Sequence, residues 1–174
     1  GQKKALMVLA TGAGKTYTAC MAAYRMLAHV GMKRVLFLVD RNNLGKQAEG
    51  EFGTFRLTQN GDAFNTIYGV SRLKNNEIPS DSNVIISTIQ RLFAFLKGEP
   101  IIDDSDEEST ADGPKEVTLP DNPKLPHDYF DMIIIDECHR SIYGNWKKVL
   151  DYFDTARLVG LTATPVHETL AFFN

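Results

Sequence analysis

Three apolar runs limit what this chain can become. "RVLFLVD" (34–40), "NVIISTI" (83–89) and "DMIIID" (131–136) are of strand length, and none alternates apolar with polar residues. A strand with one wet face shows alternation, whereas a near-continuous apolar strand is buried on both faces. Such strands belong to a parallel sheet covered by helices on each side. The segments between them fit. From Lys15 onward, Ala19, Ala22, Ala23, Met26, Leu27 and Val30 recur at helical spacing, and Gly31 suits the C-terminal cap. Further helices are predicted over roughly 43–55, through "QRLFAFL" (90–96) and in "WKKVLDYF" (146–153). "ALMVLA" (5–10), "AFNTIYGV" (63–70) and "RLVGLTA" (157–163) complete the predicted strands. The expected fold is α/β, a mostly parallel sheet between helices. With 174 residues and 43% hydrophobic composition, one domain is expected.

Charge is unevenly spread. Residues 99–128 hold ten acids, two lysines and five of the seven prolines. That stretch carries −8 and leaves the remainder at +5, against a chain total of −3. Its composition predicts a solvated, mobile and removable surface insertion. The mildly basic remainder leaves room for a nucleic-acid face. Cys20 and Cys138 stand apart without CxxC spacing, which fits a reducing, cytoplasmic compartment. No run approaches the roughly 20 apolar residues of a membrane helix, so no membrane partner is expected. The N-terminal run leads directly into "TGAGKT" and reads as a strand, not a signal peptide.

"ATGAGKT" (10–16) closes the first predicted strand and opens the first predicted helix, the context a phosphate-binding loop requires. The predicted phosphate contacts run through Thr11, Gly12, Ala13, Gly14, Lys15 and Thr16. Glycines let backbone N–H groups turn inward, and the helix start adds its positive dipole end. Lys15 would reach the outer phosphates and the Thr16 hydroxyl would ligate Mg²⁺. The loop begins at Ala10 and lacks the first glycine of the usual GxxxxGK[ST] wording.

Two carboxylates, Asp136 and Glu137, end the "MIIID" run, and ligands of such sheets sit at the strands' carboxyl ends. Asp136, expected on a strand neighbouring the loop, would hold Mg²⁺, and Glu137 would polarise an attacking water. A lone acid pair there would be an ordinary helix cap. With a phosphate loop about 120 residues upstream the chain reads as a nucleoside triphosphatase using ATP and Mg²⁺. Cys138 and His139 lack partners at metal-ligand spacing. "GLTATP" (160–165) and "VIISTIQRL" (84–92) end strands with hydroxyls and amides, suited to phosphate backbones or to simple capping.

Together these segments resemble superfamily 2 helicases and translocases. "ATGAGKT" looks like their motif I, "LVDRNNLGKQ" (38–47) like motif Ia, "DECH" (136–139) like motif II and "TAT" (162–164) like motif III. "STIQRL" (87–92) looks like a further DNA-contacting motif, and the order is right. "DECHRSIYG", Trp146, "YFD" (152–154) and the trailing "ETLAFFN" resemble the motor (R) subunit of type I restriction enzymes.

The resemblance implies a RecA-like domain with ATP held at a seam against a second such domain. It assigns Lys15, Thr16 and Asp136 to nucleotide and Mg²⁺, and Glu137 to water activation. It assigns His139, Thr162 and Thr164 to coupling, and places Arg41, Thr88, Gln90 and Arg91 near double-stranded DNA. Residues 1–174 are then the first motor domain of a larger protein. Adenine recognition and a nuclease domain are expected upstream, and the second motor domain with its arginine finger downstream. Methyltransferase and specificity subunits are the expected partners. The alternatives are another superfamily 2 DNA or RNA helicase, a P-loop phosphotransferase, or a non-catalytic binding module. The intact Lys15, Asp136 and Glu137 argue against the last.

Overall fold

The computed structural model describes residues 3–10, 14–57, 59–101, 118–140 and 144–174. Strand β1 (Lys4–Val8) leads into helix α1 (Lys15–Arg25), whose last part widens into a π-helical turn, Met26–Val30. Gly31 ends it at φ 77°, a conformation only glycine adopts cheaply. Then come β2 (Val35–Val39), α2 (Asn42–Thr54), the single turn α3 (Phe64–Ile67), β3 (Val70–Arg72), β4 (Val84–Thr88) and α4 (Ile89–Lys97). The second half holds β5 (Met132–Asp136), a 3₁₀ turn (Cys138–Arg140), α5 (Gly144–Tyr152), β6 (Arg157–Thr162) and α6 (His167–Phe173).

All five strand pairings are parallel, in the order β1-β6-β5-β2-β4-β3. Every residue of β2 and β4 is buried, as is Met132–Ile135 of β5. Alternate side chains serve two cores. Leu36, Leu38, Ile85, Ile133 and Ile135 meet Leu92, Phe95, Trp146, Val149 and Phe153 from α4, α5 and the turn after it. Val35, Phe37, Val39, Ile86 and Ile134 meet Ala19, Ala23, Phe52 and Phe64 from α1, α2 and α3. This two-sided burial is what the unbroken apolar runs require.

Three expectations need correction. The strand predicted over 63–70 is a helical turn followed by a short strand from Val70. Phe64 and Tyr68 stand one helical turn apart, and the Phe64 ring packs on Phe52 with centroids 5.1 Å apart. Strand pairing starts only after Gly69, whose carbonyl accepts from Asn83 and Val84 N–H groups at 2.8 and 2.9 Å.

The acidic stretch is not one solvated unit. Leu125 is fully buried, and the Tyr152 hydroxyl donates to its carbonyl at 2.8 Å. The Asn122 amide donates to the Phe95 carbonyl at 3.0 Å. Residues 118–128 are therefore part of the body, and an average over the whole stretch hid Leu119 and Leu125. Residues 102–117 lie outside the described residues. Third, the carboxylate strand does not neighbour the loop strand, because β6 lies between β1 and β5. Among the described residues no helix is long and apolar enough to cross a membrane.

Candidate active site

The sheet is parallel, so the carboxyl ends of its strands share one edge, and the candidate residues gather there in two groups. The first spans β1, β6 and β5. Helix α1 opens on Lys15, with Gly14 as N-cap at φ 74°, ψ 46°. A β-carbon would be strained in that left-handed backbone, so glycine is required. The Gly14 carbonyl accepts from the Thr18 N–H at 2.9 Å, which fastens the first helical turn. Thr16 is half-buried in that turn. Thr11, Gly12 and Ala13 lie outside the described residues.

Lys15 reaches across β6 to the end of β5. Its Nζ donates to Glu137 Oε1 and lies 3.7 Å from Asp136 Oδ1. Burial lowers the ammonium's pKa, but the Glu137 hydrogen bond and the two carboxylate charges outweigh it, and the net shift is upward. Asp136 is mostly buried, and that desolvation raises its pKa. Lys15 opposes the rise and Glu137 adds to it. The Glu137 N–H donates to Asp136 Oδ1 at 3.0 Å, so the acid also holds its own turn.

Glu137 has φ 51°, the one positive value at a non-glycine position among the described residues. Such backbone is costly for a residue with a β-carbon and clusters at functional sites. The kink swings the Glu137 carboxylate out of strand line to where Lys15 and His139 meet it. His139 Nδ1 lies 3.5 Å from Glu137 Oε2 and is buried with no hydrogen bond of its own.

Register places Thr162 between the loop strand and the acids. It pairs with Val8 on β1, while the preceding Leu161 pairs with Asp136 on β5. Thr162 is fully buried, and its hydroxyl accepts from the Thr164 N–H at 3.1 Å. Thr164 itself is exposed.

The second group lies at the ends of β2 and β4, where Val39 pairs with Thr88. Arg41 is exposed beside Asp40, its Nε 3.8 Å from Oδ2. Gln90 is half-exposed in the first turn of α4. The other two residues read as DNA contacts serve the fold. Thr88 caps α4 by accepting from the Arg91 N–H at 3.3 Å. Arg91 is 8% exposed and its Nη1 donates to the Leu73 carbonyl at 3.1 Å. The guanidinium at position 91 is thus engaged within the fold.

Sequence reasoning overlooked Gly160. A β-carbon there would lie 2.7 Å from Cys138 Sγ and 2.6 Å from Phe173 Cζ. This close approach ties the carboxylate turn to β6 and α6. A lone glycine within an apolar strand was the available signal.

Comparison with known proteins shows the family and the fold. Residues 1–167 match the family described as "Type III restriction enzyme, res subunit". The endonuclease subunit of type I restriction enzyme EcoKI from Escherichia coli (strain K12) is 32% identical over 193 aligned positions, covering 99% of this chain. The EcoAI endonuclease subunit of Escherichia coli is 33% identical and covers 95% of it. The chain spans only 14% and 17% of those two relatives. The helicase domain of Pyrococcus furiosus Hef superposes with TM-score 0.63 at 22% identity, over 98% of this chain and 32% of that one.

Proposed function

The chain belongs to the family of the type III restriction enzyme res subunit, and from that premise we propose that it is the ATP-binding half of a DNA-translocating motor. The whole protein is read as the motor subunit of a type I restriction endonuclease. One observation carries the proposal: Lys15 meets Asp136 and Glu137 across an intervening strand, at the edge where parallel sheets bind ligands.

The residues present fit a nucleotide and a divalent cation. A glycine-capped helix start and an ammonium supply hydrogen-bond donors for phosphate, and two carboxylates supply oxygen ligands for a cation, in one place. Thr16 and Asp136 would hold Mg²⁺, with Thr11, Gly12, Ala13 and Gly14 lining the phosphates. When bound, the cation neutralises charge on the outer phosphates.

The chain's own groups do the rest. Without nucleotide, the carboxylates are the Lys15 counter-ions. A triphosphate takes that role, so Lys15 turns to phosphate and Glu137 is released. The freed Glu137 carboxylate accepts a proton from the attacking water. In this reading His139, beside Glu137, couples the site to DNA together with Thr162 and Thr164 on the strand end between the two motif strands. Arg41 and Gln90 carry the proposed contact with the DNA backbone at the neighbouring strand ends. Transition-state charge falls to an arginine from a second RecA-like domain. A nuclease domain and methyltransferase and specificity subunits complete the proposed assembly.

Two substitutions test the site. Lys15→Ala is expected to remove most nucleotide binding. Glu137→Gln in the full-length enzyme is expected to keep binding and lose hydrolysis. Equal loss of binding in both would refute the separate roles. Stimulation of the intact enzyme by long duplex DNA without strand separation distinguishes a translocase from a strand-separating helicase. Phosphoryl transfer to a small acceptor would instead favour a phosphotransferase.

A further inference from the structure

Tyr17 is a large side chain that the nucleotide reading leaves unused. It lies in the first turn of α1, two residues beyond Lys15, and is 55% exposed. The ring is nevertheless held. Phe55, itself buried, packs on it with centroids 5.2 Å apart and planes tilted by 56°. One side of the phenol is anchored and the rest is open.

Its direction follows from helix geometry. At 3.6 residues per turn, Tyr17 lies about 200° around the helix axis from Lys15. Lys15 points to the carboxylates, so Tyr17 stands on the side away from them. Helical side chains lean toward the helix N-terminus. A β-carbon at Gly14 would touch Tyr17 Cβ at 3.6 Å, so the tyrosine begins directly against the helix cap. A nucleoside triphosphate whose last phosphate faces Glu137 has its base at the far end from the carboxylates, and Tyr17 is an exposed aromatic ring on that side of the helix start.

We propose that Tyr17 is the platform on which the base of the bound nucleoside triphosphate stacks. This rests on the nucleotide reading above. An aromatic face reads no base edge, so the contact favours ATP and GTP alike.

Calorimetric titration of residues 1–174 with Mg–ATP, Mg–GTP and Mg–tripolyphosphate tests it, since tripolyphosphate has the phosphates and no base. Tyr17→Ala is expected to weaken ATP and GTP roughly fivefold or more, the lower end of base–aromatic stacking. Tripolyphosphate affinity stays the same, and Tyr17→Phe restores both nucleotides. Tyr17→Leu keeps apolar cover over Phe55, so it should melt like the parent chain while showing the alanine variant's loss. Equal loss for all three ligands, or no loss for the nucleotides, overturns the proposal. Unaltered chain that holds tripolyphosphate as tightly as ATP leaves the phosphate site standing and removes the platform. If it binds none of the three, the phosphate site fails and the platform falls with it.

Discussion

Gly160 on β6 faces the ring of Phe173 so closely that a β-carbon would sit 2.6 Å from Cζ. On the same side it would meet Cys138 Sγ at 2.7 Å, one residue beyond Glu137. Cys138 is fully buried and Phe173 nearly so, so neither has free space to retreat into.

Gly160→Ala is therefore expected to destabilise the chain by about 1–3 kcal/mol, the usual cost of overpacking a core. Urea unfolding measures it. Adding Phe173→Leu removes one of the two clashes and should recover part of the loss. A single variant as stable as the parent would show that α6 yields freely.

His127 predicts a pH dependence. Its Nδ1 lies 2.7 Å from the Tyr152 carbonyl and its Nε2 2.6 Å from Asp121 Oδ1. Both partners only accept, so both ring nitrogens must donate, which the imidazolium alone can do. The Tyr152 carbonyl first, and Asp121 second, raise the His127 pKa above its usual 6.5. The stability this adds is fully present below the unfolded value and is lost as pH rises through the folded one. The ring is half-exposed, so screening keeps the effect small. Thermal melts from about pH 5.5 to 8.5, spanning the usual histidine range, should show the parent's advantage over His127→Asn shrinking as pH rises. A constant difference would contradict the clasp.

The acidic stretch should divide sharply under deletion. Replacing residues 102–117 by a short Gly/Ser linker is expected to leave the melting temperature unchanged. Extending the deletion through Leu125 removes a fully buried side chain and the acceptor of the Tyr152 hydroxyl, and should cost about 2–5 kcal/mol. Equal stability of the two deletions would mean residues 118–128 contribute nothing.

Residues 1–174 alone should bind nucleotide weakly and turn it over very slowly. Arginine fingers are worth roughly 10³–10⁵ in rate, or about 4–7 kcal/mol, and the proposal places that group in a second domain. A steady-state ATPase assay with and without duplex DNA measures this. Robust DNA-stimulated turnover by the purified monomer would show that the chemistry needs no second domain.

The sequence by itself determined the three buried central strands and the α/β class. Apolar runs at 34–40, 83–89 and 131–136 report burial on both faces through local composition alone, and the strands lie within a residue of them. Gly14, Lys15, Asp136 and Glu137 stood out as candidates because residue type and adjacency to a strand are local features; that Lys15 meets both acids is a finding of the structure. Only the tertiary structure decided what depends on neighbours distant in the chain. Strand order is one such matter: β6 inserts between β1 and β5, so Lys15 must reach over it to the carboxylates. The burial of Arg91 is another, since its acceptor is the Leu73 carbonyl, 18 residues away. Phe64 sits in a helical turn with its ring packed on Phe52 and Phe55, a contact that periodicity alone does not report. Leu125 entered the core because Tyr152 waited there for its carbonyl. Local pattern sets which residues must be buried; long-range packing and hydrogen bonding choose their partners.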